Sequence, residues 1–87
     1  MVSQTVTLTN AEGFHMRPAG VFAAKMSQYQ STVKVKYKGN EFNGKSLMSI
    51  MSACIKCGNS VEIICSGNDE ESALGHAVEI IENGFDV

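Results

Sequence analysis

The chain has one proline and three cysteines in 87 residues, and no excess of positive charge. It also lacks a long apolar run, and each of these shortages excludes something. Seven Lys and Arg against nine Asp and Glu leave a net charge of -2, so bulk electrostatics do not favour nucleic acid. Without a stretch of ~18 apolar residues, no transmembrane helix and no membrane insertion are expected. The opening "MVSQTVTLTN" lacks the basic start and apolar centre of a signal peptide, which makes a cytoplasmic location the expectation. An odd number of cysteines does not suggest a disulfide framework, so Cys54, Cys57 and Cys65 are expected to be free thiols. Low-complexity segments, repeats and linkers are missing too. The length suits one domain over residues 1–87 with a modest core.

What is present is a sequence of short periodic segments. In "VSQTVTLT", Val2, Gln4, Val6 and Leu8 alternate with Ser3, Thr5, Thr7 and Thr9, the pattern of a half-buried strand. A loop containing Gly13 follows. From Pro18 the period becomes helical, with Ala19, Phe22, Ala23, Met26 and Tyr29 on one stripe. "STVKVKYKGNEF" reads as a hairpin turning at Gly39 and Asn40. "SLMSIMSACI" reads as a short helix with Leu47, Ile50, Met51 and Cys54 on its stripe. "SVEIICSG" is a last strand, with Val61, Ile63 and Cys65 on one face. A final helix begins near "NDEES", where Asn68 or Asp69 can cap it and Glu70 and Glu71 suit its positive end. Its stripe is Leu74, Ala77, Val78 and Ile81, and Gly84 is its stop. The order β-α-β-β-α-β-α predicts an α+β fold, an antiparallel four-stranded sheet with three helices on one face. Periodicity leaves the strand order open.

"GFHMRPAG" is where chemistry enters. Helix N-termini hold free N–H groups and favour anions. His15 lies just ahead of the helix that Pro18 is expected to start, and Arg17 adds a cationic fork suited to phosphate. A neutral imidazole nitrogen is a competent nucleophile near neutral pH. On spacing alone, the simpler account remains a capping histidine beside a solvated arginine. Ser46 stands at the expected N-cap of the short helix, a position where serine ordinarily only caps. A phosphate there would place roughly two negative charges beside Met48, which falls off the buried stripe. "CIKC", Cys54 to Cys57, has neither the second ligand pair of a zinc site nor the strand-then-helix setting of a redox dithiol. It reads as incidental thiols, and no metal or cofactor is expected. His76 lies off its helix stripe and reads as a surface residue with no partner in view.

Taken together, "GFHMRPAGVFAAKMSQY", "NGKSLMSIMSACIKCG" and "VEIICSGNDEESAL" resemble the histidine-containing phosphocarriers, the HPr family of the bacterial phosphoenolpyruvate-dependent sugar phosphotransferase system. The resemblance implies an open-faced β-sandwich with strand order 1-4-2-3. It implies a carrier that takes a phosphoryl group from Enzyme I and passes it to sugar-specific IIA domains. His15 then matches the phosphoryl acceptor at Nδ1, Arg17 the residue that neutralises the phosphate, and Pro18 the helix start. Ser46 matches a regulatory site for an HPr kinase/phosphorylase, whose product serves a catabolite control protein. Met16, Leu47, Met48 and Met51 match a docking patch, and a monomer is expected. The chain departs from the pattern at Met16, at Glu12 in the active loop, at Gly44 where a larger residue is expected, and at Cys54 and Cys57. Three rival readings stay beside the carrier. They are a purely regulatory module acting through Ser46, which loss of the histidine would mark; a nitrogen-branch paralogue; and a redox or zinc protein using the two cysteines.

Overall fold

The computed structural model describes residues 1–85. Its elements are β1 (Val2–Thr7), α1 (Met16–Met26), β2 (Thr32–Tyr37), β3 (Asn40–Asn43), α2 (Leu47–Ser52), β4 (Ser60–Ser66) and α3 (Glu70–Glu82). The strands form one antiparallel sheet in the order β1-β4-β2-β3. β4 sits between β1 and β2, with Val6 opposite Val61 and Val35 opposite Ile63. Period-2 alternation explains which face is covered. Val6, Val33, Val35, Val61, Ile63 and Cys65 are buried against the helices, whereas Lys34, Lys36, Thr5 and Ser66 face water. α3 packs on β1 and β4, and α1 lies beside α2 and α3. The helical stripes meet this sheet through Phe22, Met26, Ile50, Ala77, Ile80 and Ile81, all fully buried.

Several local expectations are corrected. α1 begins at Met16 rather than Pro18, with His15 as its N-cap. Pro18 is the third helical residue, where its missing N–H is still harmless because the first turn has no intrahelical acceptors. The helix ends at Met26, so Tyr29 packs against the core from outside it. α2 stops at Ser52, and Cys54, at φ 55, is an exposed residue rather than part of a buried stripe. The hairpin turns at Lys38 and Gly39, both with positive φ, and Asn40 already pairs with Tyr37. Such a turn matches the right-handed twist of the strands it joins. α3 does end in front of Gly84: the Phe85 amide donates to the Ile80 carbonyl (2.8 Å) and the Gly84 amide to that of Ile81 (3.1 Å). This doubly bonded helix end turns Phe85 into the core, where it is 1% exposed.

Gly44 also has a structural reason. Its amide donates to the Val33 carbonyl at 2.7 Å, and an added Cβ would lie 2.6 Å from Val33 Cγ1. A larger side chain would collide with Val33 of β2. His76, read as partnerless, shares a 2.8 Å hydrogen bond between its Nδ1 and the Tyr29 hydroxyl, with the two rings edge to face.

Asp69 precedes α3, yet its side chain caps nothing there. Its carboxylate instead accepts from the amides of Gln30 and Ser31, both at 2.9 Å, and from the Ser31 hydroxyl. It thereby pins the turn between α1 and β2. These bonds, that of the Ser31 hydroxyl first, lower its pKa from 3.8 to about 2. A depressed carboxylate contributes stability above its ordinary pKa and loses it as pH falls through the folded value. Asp69→Asn is therefore expected to lower the melting temperature at neutral pH and to flatten the loss of stability between about pH 4 and pH 2. Thermal unfolding followed by circular dichroism across that range checks this, and an acid limb as steep as that of the parent protein would contradict it.

Candidate functional site

The site is built on the loop between β1 and α1. The Gly13 amide donates to the Asn10 carbonyl (3.2 Å), and Asn10 Nδ2 donates to the Gly13 carbonyl (2.8 Å), closing a tight turn. Gly13 has φ 63, and a Cβ there would lie 2.6 Å from the Lys56 Cα. Only glycine fits a left-handed position pressed against another backbone segment. Next, the Phe14 amide donates to the Ile55 carbonyl at 3.0 Å, and the Phe14 ring packs against Phe22 and Phe85. The buried ring leaves the following residue at the surface.

That residue is His15. Its backbone is extended at φ -78 and ψ -177, and its carbonyl accepts the first helical bond, from the Ala19 amide at 2.8 Å. The imidazole is exposed, and among the described residues its side chain makes no capping hydrogen bond. By helix geometry the amides of Met16 and Arg17 have no intrahelical acceptor, and Pro18 carries no N–H. The imidazole thus stands at the positive end of α1 with two free donors beside it.

His15 also lines a shallow cavity of about 250 Å³, together with Phe14, Met51, Cys54, Ile55 and Lys56. One wall is the turn after α2, which the Phe14–Ile55 bond holds against the loop. Lys56 brings a second cation that sequence reading did not single out. Cys54, read as an incidental thiol, is also part of this wall. Its left-handed conformation has no sequence signature that would have placed it there. Among the described residues, no group of three His, Cys, Asp or Glu is placed to hold a metal ion.

Arg17 does not line the cavity. Its Nη2 is 3.1 Å from Glu12 Oε1, in an exposed ion pair. The sequence marked Glu12 as an unusual charge but not its partner. Ser46 is the N-cap of α2: its hydroxyl accepts from the Ser49 amide at 3.2 Å. Met16 and Met48 are 65% and 76% exposed, large apolar side chains left in water, whereas Leu47 and Met51 pack partly against the core. Of the expected docking residues, the structure therefore brings Met51 to His15's cavity, and leaves Met16 and Met48 protruding into solvent.

The model of the PTS HPr component phosphorylation site matches residues 2–83. The chain belongs to the HPr family. The phosphocarrier protein HPr of Xylella fastidiosa is 33% identical over 85 residues, 98% of this chain and 96% of its own length. The HPr-like protein Crh of Bacillus subtilis is 35% identical over 74 residues, covering 85% of this chain and 87% of that protein. The crystal structure of HPr-C-His from Thermoanaerobacter tengcongensis superposes with a TM-score of 0.96 at 36% identity, over 100% of this chain and 98% of that one. A general role as a phosphocarrier of the phosphotransferase system follows from this membership. The open-faced arrangement implied by the resemblance, order 1-4-2-3 with three helices, is the one observed. In this HPr chain the helix-mouth geometry depends on Gly13. Gly13→Ala is expected to cost at least ~1–3 kcal/mol, the range for a non-glycine residue forced into such a conformation. Urea denaturation measures it, and a midpoint unchanged from the parent protein would contradict the packing described.

Proposed function

We propose that His15 is the phosphoryl acceptor of this phosphocarrier, receiving the group from Enzyme I and passing it to sugar-specific IIA domains. The observation that supports this most is the exposed imidazole at the N-cap of α1, which makes no cap bond among the described residues. In the transfer, the lone pair of His15 Nδ1 attacks phosphorus while the bond between phosphorus and the donor breaks. The electron pair of that bond leaves with the donor. The proton on Nε2 stays in place, so no separate base is required. The amides of Met16 and Arg17 and the Arg17 guanidinium then hold the phosphoryl oxygens. This grip uses few groups and no cofactor, which suits a carrier that must release what it takes. Met16, Met48 and Met51, with Leu47 behind them, form an adaptable docking rim, since thioether side chains repack easily against different partners.

Ser46 is the regulatory site in this reading. Phosphorylation by an HPr kinase/phosphorylase would add roughly two negative charges at the start of α2, disfavouring Enzyme I and favouring a catabolite control protein. The similarity to Crh keeps a purely regulatory role in view, and the presence of His15 favours the carrier. The protein works as a cytoplasmic monomer, with residues 1–87 as one domain.

Incubation with phosphoenolpyruvate and Enzyme I is expected to add one acid-labile phosphate, detected by mass, and none in His15→Ala. An acid-stable adduct, or labelling that survives the substitution, would overturn the assignment. Arg17→Ala is expected to slow transfer roughly ten-fold or more while leaving the fold intact, as loss of a ~1.5 kcal/mol hydrogen bond to a charged group would do. Stopped-flow transfer rates check it. With ATP and an HPr kinase, wild-type protein but not Ser46→Ala is expected to be labelled; equal labelling of both would end the regulatory claim.

A further inference from the structure

We propose that Glu12 is a positioning residue for phosphoryl transfer: it holds Arg17 away from the acceptor in the free protein and competes with the phosphoryl group for it. The inference rests on the reading of His15 as acceptor. Its observation is the 3.1 Å ion pair between Arg17 Nη2 and Glu12 Oε1, both side chains more than half exposed. Glu12 stands on the turn closed by the bonds between Asn10 and Gly13, so its backbone is fixed close to the start of α1. Arg17 is the second residue of α1, two positions after His15. Among the described residues, Glu12 is the anion paired with the guanidinium, and phosphorylation of His15 adds a second within reach of the same side chain.

The consequence is a bias in the carrier's equilibrium. Phosphorylation must break or share the Glu12 contact to gain Arg17. The phosphorylated form is then less stabilised than it would be with an unpaired arginine. A weaker hold on the phosphoryl group makes the carrier a better donor to the next protein and a poorer acceptor from the previous one. The size is limited, because exposed ion pairs contribute little and are screened by salt. Removing the carboxylate should shift the partition of phosphoryl groups between Enzyme I and the carrier by roughly two- to five-fold toward the carrier.

The experiment measures that partition at equilibrium, using limiting radiolabelled phospho-Enzyme I with wild-type protein, Glu12→Gln, Glu12→Asp, Arg17→Ala and the double variant Glu12→Gln with Arg17→Ala. The expected result is a two- to five-fold shift toward the carrier for Glu12→Gln that shrinks at high salt. Glu12→Asp should restore the wild-type side of the balance, because it keeps the charge. In the Arg17→Ala background Glu12→Gln should have no effect. A Glu12→Gln partition equal to the wild type, a shift toward Enzyme I, or a shift that persists without Arg17 would each overturn the proposal. A melting temperature measured alongside shows that Glu12→Gln is folded. His15→Ala is the separate control: label retained there defeats the acceptor assignment, whereas label lost there with an unshifted Glu12→Gln defeats only the role of Glu12.

Discussion

The hydrogen bond from the Phe14 amide to the Ile55 carbonyl, with the Phe14 ring buried between Phe22 and Phe85, is the constraint on which the site depends. It ties a loop that has no regular structure to the turn after α2. Because Phe14 must point inward, its neighbour His15 is presented outward in an extended conformation, which is what an N-cap requires. Because Ile55 is held from the other side, the wall carrying Met51, Cys54 and Lys56 is brought up to the imidazole. Phe85 closes the cluster, and it reaches the core only because α3 ends in the doubly bonded turn at Gly84. Residues near both ends of the chain thus converge on the anchor beneath the histidine.

Above that anchor the electrostatics are deliberately modest. A phosphoryl carrier is useful only if acceptor and donor states lie close in free energy. In the proposed reading, one exposed arginine and two helix amides satisfy that better than a buried cluster of cations, which would hold the group. The proposed competition by Glu12 would moderate the grip further. In the proposed reading the exposed methionines would follow the same principle on the docking side, where contacts that repack serve partners met in turn.

Much of this was legible in the sequence. The two periods identified all seven elements and nearly all the inward faces, because alternation and helical spacing follow from burial of one side. Boundaries were less legible. Tyr29 continued the helical stripe although α1 had ended, since its ring packs on the core from a turn and periodicity cannot see the difference. Cys54 also continued its stripe past the end of α2, yet it is exposed, because the chain turns there into a left-handed conformation. Ala73 and Ile80 of α3 are buried beside the expected stripe because the helix packs on β1 and β4 and also touches α1 alongside. The glycine at position 44 looked like a departure until its neighbour Val33 was in place.

The sequence by itself determined the order of elements, the covered face of the sheet and the residue types at the mouth of α1, since each depends on neighbours in the chain or on a repeating pattern. Only the tertiary structure decided which polar side chains meet. Asp69 turned from its own helix to the amides of Gln30 and Ser31; Tyr29 found His76; Lys45 donates to the Tyr29 carbonyl; Arg17 found Glu12. The reason is physical. A polar side chain takes whichever partner the folded backbone brings within about 3 Å, and for three of these four pairs that partner lies 16 to 47 residues away, beyond the reach of any local pattern.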